Sequence, residues 1–443
     1  MARVLGILSR IANDLEQYLP EESVLATFRE VGHVWRERQL GPVRTLHLFI
    51  LQVLACNTAM AHLRQMAGEV FTLSAYCQAR ARLPLEALQI LLRDSSAAMR
   101  AAAMKTAEQG AEPSTALWHG LRAFLVDGSS TITPDTPDLQ KAFGHPTGQK
   151  PGCGFPVPKL LALFDAFTGM VVEMLGLPLF THEQSKVWML HPLLQSGDLL
   201  VGDRGFCSFV HLAMLQARGV KACFRCHARQ NVSFGLDRRI RSEFVRRLGR
   251  HDQIVRWKRP AKAPAWMTAE QWAAVPQWLE VREVRYTLQA NGQRSHAVTL
   301  ATTLLDETLY PKADVAQLYG TRWRVETRFS ELKTTLKMRK LKSRSAQGVM
   351  KELAIYCLVY NMVRTVTAAA GLRQKVSPER ISFIDALRWL LWTQPGAPLM
   401  DLVVNPLRPN RHEPRAIKDL QDTYRKLARP RNEMRNHPEL AKR

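Results

Sequence analysis

The sequence predicts an α/β protein: a mixed-sheet core with a β-rich insertion, a helical N-terminal domain before it and a helical, basic C-terminal region after it. Three observations predict this. Through the first ~115 residues apolar positions recur every three or four, the period of a helix with one buried face. From Phe124 the texture changes to short apolar runs that meet Asp-Gly or Gly-Asp pairs, the pattern of buried strands stopped by turns. From Ala313 the longer period returns, now with an excess of Lys and Arg.

The helical period covers Val24–Val34, Leu46–Leu63 and Leu85–Leu92. Two starts carry caps, Pro20-Glu21-Glu22-Ser23 and Thr72-Leu73-Ser74. The second sets Arg80 and Arg82 two positions apart, which suits either a helix-turn-helix DNA reader or an ordinary packing helix. Ala123–Ser129 reads as a strand stopped at Asp127-Gly128, and Lys159–Asp165 with Met170–Met174 as a hairpin around Ala166–Gly169. A helical segment from Thr181 to Leu194 leads to a strand, Gly197–Asp203, then a helix, Ser208–Arg218, and a strand, Val220–Arg225. Between Ala228 and Val281 the composition shifts to Arg, Trp and Pro, the mark of an insertion, with Trp257, Trp266, Trp272 and Trp278 inside it. Glu280–Gln289 and Ser295–Leu304 form a second hairpin. Helices follow at Ala313–Met338 and Gly348–Ala368, and the tail, Pro409–Arg443, reads as basic and partly disordered. The expected domains are 1–116, 117–345 (insertion about 228–300) and 346–443.

Charge narrows the partner. Lys and Arg number 62 against 39 Asp and Glu, a net charge of +23, and the pI is near 10.1. Residues 1–116 hold 12 basic and 11 acidic side chains, whereas residues 312–443 hold 27 and 12. An excess of this size points to a polyanion, with nucleic acid as the default, and places much of the phosphate contact in the last third. The apolar stretch Leu46–Met60 is interrupted by His47, Gln52 and Asn57 and is too short for a bilayer, so no membrane is expected. Seven cysteines without a regular framework and no signal-peptide pattern lead to the expectation of a reducing cytoplasm. Cys223-Phe-Arg-Cys226-His227 matches a haem-attachment or half-zinc pattern, but it begins as a strand and lacks a second ligand pair.

Three strands, helix, strand, helix and a late helix is the order of an RNase H-like core. Asp127 and Asp203 then lie at strand ends and Glu326 on a helix beyond the insertion. Three carboxylates so placed are hard oxygen ligands for two Mg²⁺ ions about 4 Å apart, with Mn²⁺ as a substitute, in an in-line displacement at phosphorus. Singly, an acid at a strand end is more often a turn residue. Asp165, Glu183, Asp198 and Glu331 are rival ligands, of which Asp198 and Glu331 read as structural. Tyr319, Arg322, Glu326 and Lys333 stand at offsets 0, 3, 7 and 14, within roughly 60° of one helix face at ~100° per residue. That face presents a phenol, a guanidinium, a carboxylate and an ammonium in line. The bland alternative is an i,i+4 Arg322–Glu326 pair on a solvated surface.

This Tyr-x2-Arg-x3-Glu-x6-Lys spacing resembles the YREK signature of bacterial insertion-sequence transposases of the DDE class, the IS-four family. The resemblance covers about Phe124 to Arg364. It includes Asp127-Gly128-Ser129, Gly202-Asp203-Arg204-Gly205-Phe206, the segment Tyr319–Lys333 and Tyr360-Asn361-Met362-Val363-Arg364. It implies metal binding by Asp127, Asp203 and Glu326, a grip on the cleaved DNA end by Tyr319, Arg322 and Lys333, and a phosphate contact by Arg204. It further implies cut-and-paste transposition on double-stranded DNA. The N-terminal region would read the terminal inverted repeats, and the 3′-OH ends would join target DNA in a homodimeric synaptic complex at the bacterial nucleoid. In relatives that pass through a DNA hairpin an insertion aromatic stacks on a flipped base, a role that singles out none of the four tryptophans. A nuclease of the same fold without strand transfer, or a silent DNA-binding regulator, are the alternatives.

Overall fold

The computed structural model describes residues 19–36, 39–68, 70–108, 117–147, 154–227, 232–234, 242–288, 296–393, 397–407, 433, 436 and 437. Most of the predicted tail, Pro409–Arg443, lies outside the described residues.

Among the described residues five helices come first: α1 (Glu21–Glu30), α2 (Pro42–Leu54), α3 (Met60–Ala67), α4 (Leu73–Arg82) and α5 (Leu85–Glu108). The Thr72 hydroxyl caps α4 by accepting from the Ala75 N–H, as the sequence suggests. The expected cap at Pro20–Ser23 is absent: Pro20 is the N-cap, and two glutamates in the first turn meet the helix dipole instead. The single helix expected over Leu46–Leu63 is two. Cys56 and Asn57 adopt left-handed backbone conformations that end α2, and Asn57 Nδ2 donates to Glu352 at 2.7 Å. Arg80 lies over the Phe49 ring and donates to Gln52, so it serves packing within these helices.

One sheet of nine strands follows, β1 (Arg122–Ser130), β2 (Lys159–Asp165), β3 (Val171–Leu177), β4 (Asp198–Gly202), β5 (Lys221–Arg225), β6 (Ser242–Gly249), β7 (Asp252–Lys258), β8 (Trp278–Leu288) and β9 (His296–Thr302), in spatial order β3-β2-β1-β4-β5-β9-β8-β7-β6. The pairs β1–β4 and β4–β5 are parallel and the rest antiparallel. The β-rich insertion thus extends the core sheet through β9. Short helices α6 (Pro137–Phe143), α7 (Phe209–Ala217) and α8 (Ala269–Ala273) follow β1, β4 and β7 in the chain. Two expectations fail here. Thr181–Leu194 holds two 3₁₀ helices, Glu183–Ser185 and Val187–Leu193, the second interrupted by Pro192. β1 does not stop at Asp127-Gly128, because Gly128, Ser129 and Ser130 still pair with β2.

Alternation along the strands builds two cores. Leu125, Leu199, Val201 and Cys223 face a large cluster shared with the N-terminal helices and with α11 (Ala346–Arg373), while Phe124, Val126, Leu200 and Phe224 face a smaller cluster with α7. The five N-terminal helices therefore share their core with one face of the sheet. α11 is long and apolar enough to cross a membrane by composition, yet it is mostly buried inside the protein. Expected as one helix, Ala313–Met338 is four pieces: α9 (Lys312–Gly320), a 3₁₀ turn at Thr321–Trp323, α10 (Arg324–Ser330) and a π turn at Glu331–Thr335. A further helix is α12 (Phe383–Trp392).

Candidate active site

The parallel strands β1, β4 and β5 fix the site. Val126 is the last residue of β1 paired with β4, opposite Gly202, and Gly202 is the last of β4 paired with β5, opposite Phe224. One residue further on stand Asp127, Asp203 and Arg225. Alternation turns all three to the face of the larger core, where α9 and α10 pack. Parallel strand ends are a common position for reactive groups, since no ladder partner competes for the space there.

The α9–α10 segment closes over them. Tyr319 donates its hydroxyl to Asp203 Oδ1 at 3.1 Å. Arg322 reaches Asp127 Oδ2 at 3.2 Å and Glu326 Oε1 at 3.6 Å with its two terminal nitrogens. Lys333 Nζ donates to Ser129 Oγ at 2.8 Å. Tyr319 and Arg322 thus meet the two aspartates, Arg322 links Glu326 to Asp127, and Lys333 meets Ser129 on the same strand, although the segment is no straight helix. The π turn carries Lys333, and a wider turn rotates it relative to a simple α-helical count. Arg204 opens an exposed 3₁₀ turn directly after Asp203.

Electrostatics follow from crowding. Burial raises the Asp127 pKa, the Gly128 N–H (2.8 Å) and Arg322 oppose this, and the charges of Asp203 and Glu326 add to it. The Tyr319 hydroxyl is pushed well up by burial and by the Asp203 charge. Burial also lowers the Lys333 ammonium, with Arg339 adding to the effect. Glu326 is the most open of the acids, its side chain 54% exposed.

Three carboxylates without sulfur or imidazole make a donor set suited to a hard divalent cation. Among the described residues, however, no three acids, histidines or cysteines stand together as a metal cluster. The Arg322 guanidinium bridges Asp127 and Glu326 and supplies positive charge between them.

The profile of the family described as Transposase DDE domain matches residues 118–362, more than half of the chain. The chain belongs to the DDE transposase family. A relative, "Transposase InsG for insertion sequence element IS4" of Escherichia coli (strain K12), is 26% identical over 360 residues, 76% of each chain. A cryo-EM structure of the piggyBac transposase synaptic complex with hairpin DNA superposes with a TM-score of 0.41 at 10% identity, covering 88% of this chain and 80% of that one. The chain is thus a DNA transposase, a polynucleotidyl transferase that acts on DNA in a family that works with divalent metal ions.

The site of this transposase holds groups beyond the spaced motif and the two aspartates. Arg225 is one; only the register of β4 with β5 brings it beside Asp203. Glu183 is another, a rival ligand in sequence, whose carboxylate lies where a Cβ on Gly128 would be, within 2.4 Å. Of the other rivals, Asp198 is a buried bidentate partner of Arg122, Asp165 closes a turn with Thr168 and faces Arg100, and Glu331 accepts from Tyr360. The insertion tryptophans separate clearly. Trp257 is buried and donates to Glu283, Trp266 stacks between Trp188 and His211, Trp272 packs under Arg259, and Trp278 is exposed beside Lys258.

Proposed function

We propose that this transposase excises an insertion sequence by cleavage at its two ends and joins the freed 3′-OH ends to target DNA. The observation that carries this reading is the convergence of Tyr319 on Asp203, Arg322 on Asp127 and Glu326, and Lys333 on Ser129 at adjacent parallel strand ends. We read the sheet β3-β2-β1-β4-β5 as an RNase H-like core. Asp127, Asp203 and Glu326 would hold two Mg²⁺ ions, and bound there the cations would polarise the phosphoryl oxygens and the attacking oxygen.

The remaining work belongs to the protein's own side chains. Arg322 keeps Asp127 and Glu326 together before substrate arrives, which limits the cost of gathering like charges in a half-buried site. Tyr319 fixes the rotamer of Asp203. Lys333, Arg204 and Arg225 surround the acids with cations that match phosphate oxygens of the DNA end. The partners would be double-stranded DNA, both the terminal inverted repeats and the target, and a second copy of the chain to pair two ends at the bacterial nucleoid. The helical N-terminal region would read the repeats, and the region from residue 346 onward would serve pairing.

The test is cleavage of a donor plasmid carrying the DNA that flanks the gene, with and without Mg²⁺. Wild type should release the segment only with metal and yield recoverable insertions. Glu326→Gln should bind the ends within about twofold of wild type and cut at least ~10³-fold more slowly, the scale of removing a group that acts on transition-state charge. Cutting without joining would favour the nuclease reading, and binding without cutting under every metal the silent regulator.

A further inference from the structure

Twelve residues, Lys333 to Arg344, hold six cations and no acid: Lys333, Lys337, Arg339, Lys340, Lys342 and Arg344. The segment leaves the active site and is pinned rather than loose. Thr131 donates to the carbonyl oxygens of Met338 and Arg339 at 2.7 and 3.1 Å. The Leu341 N–H donates to Ile132 at 2.9 Å, Thr136 donates to the Arg344 carbonyl at 2.9 Å, and the Lys342 and Ser343 N–H groups donate to Glu352. Leu336, Met338 and Leu341 are buried beneath. That anchoring leaves Lys337, Lys340, Lys342 and Arg344 exposed and Arg339 half-buried.

The segment meets the loop between α2 and α3 at two points, the first where the Cys56 thiol donates to the Thr335 carbonyl at 3.5 Å. At the second, the Lys342 ammonium donates to the carbonyl of Asn57. The other four cations, Lys337, Arg339, Lys340 and Arg344, form no ion pair with another described residue. A fixed row of unneutralised like charges opposes folding unless a polyanion covers it. The row begins at Lys333, which donates to Ser129, two residues after Asp127 on β1.

We propose that residues 337–344 are a rail for the phosphate backbone of the element's own end, running from the active site to the N-terminal helices. The proposal rests on the transposase reading of the site. The occupant follows from direction. The rail leaves the acids on one side only, toward the helices expected to read the repeats, and this suits a duplex that terminates in the site. An uncut target duplex must continue past the acids both ways. From Lys333 to Arg344, eleven peptide steps reach at most about 40 Å, the axial length of about twelve base pairs at ~3.4 Å each. The phosphates held by the rail therefore lie within about twelve base pairs of the cut.

The test measures binding of the full chain to a duplex of the gene's flanking DNA across a salt series, for wild type and for Lys337→Gln, Arg339→Gln, Lys340→Gln and Arg344→Gln combined. The slope of log K against log salt should fall by about 3 to 4 in magnitude, ~0.9 per lost phosphate contact. The melting temperature should be unchanged or higher. If the combined variant misfolds, Lys337→Gln with Lys340→Gln should remove about 2 from the slope. Single methylphosphonates at the contacted positions within about the first twelve base pairs should weaken wild-type binding and leave the variant's binding nearly unaffected. An unchanged slope on a duplex that wild type binds and cuts would remove the rail alone. Normal end binding with lost joining would reassign it to target DNA and overturn the proposal. If wild type binds the flanking duplex no better than a shuffled one, the proposed function fails, and the rail with it.

Discussion

At the scale of single residues, the site before substrate binds is a set of acids held by their own neighbours. Tyr319 and Arg322, which resemblance assigns to gripping DNA, first touch Asp203, Asp127 and Glu326. Tyr319→Phe separates the two roles. It removes one hydrogen bond worth about 1 kcal/mol and frees the Asp203 carboxylate to rotate. Single-turnover cleavage should slow by about five- to tenfold on that scale, while the end-binding constant stays within twofold; a loss confined to binding would return Tyr319 to a pure DNA contact. Arg225→Ala should weaken end binding and reduce the salt slope by ~0.9, and Arg225→Lys should restore the slope. The acids themselves were legible in the sequence because strand-ending aspartates and the spaced motif are local patterns. Arg225 was not, since nothing local marks an arginine that becomes important only when β5 lies beside β4.

At the scale of elements, the sequence misleads where tertiary pairing overrides local chemistry. Gly128-Ser129-Ser130 has turn composition, yet β2 extends the strand through it, and this is what places Ser129 against Lys333. The run Thr181–Leu194 has helical periodicity, but Pro192 and tight packing yield two 3₁₀ pieces. The β2–β3 hairpin was legible, and its turn shows how sheet and helix lock. Gly169 has φ +77°, and the space its Cβ would need holds the Arg364 guanidinium at 2.6 Å. Arg364 lies on buried α11, donating to the Thr168 carbonyl and pairing with Glu379 at 3.0 Å. Gly169→Ala strains the turn and displaces a buried cation, so urea denaturation should show a loss of about 2–4 kcal/mol. A loss below about 0.5 kcal/mol would mean that the turn relaxes freely and that the Arg364 contact is incidental.

At the scale of the molecule, one large core ties the N-terminal helices to the catalytic sheet, so unfolding of either should expose the other. Its response to acid is set by buried histidines. Burial lowers His47 to about 4, with Arg44 adding to it; His191 to about 3, with His211 and Arg218 adding; and His211 to about 4, against an opposing bond to the Gln184 carbonyl. The unfolded chain binds a proton at each near pH 6.5 and the folded chain does not, so their contribution is complete above that value and is lost as pH falls toward 4. Glu379 acts later. Burial would raise it, but Arg364, Arg328 and Arg324 together hold it at about 2, so its contribution is lost only between about 4.5 and 2. Burial raises Glu183 and Glu331 instead, which opposes the loss, but only where carboxylates titrate. Between pH 6.5 and 5 the histidines therefore govern the slope, and at 1.36 kcal/mol per pKa unit each costs up to about 2 kcal/mol by pH 5. His191 is the sharpest case, 2% exposed with neither ring nitrogen hydrogen-bonded among the described residues. Replacing it with Leu removes one titrating group of similar bulk. Denaturation at pH 7 and pH 5 should show wild type losing several kcal/mol and His191→Leu losing about 2 kcal/mol less. Equal losses in both proteins would show that His191 accepts its proton in the folded state and that acid acts elsewhere.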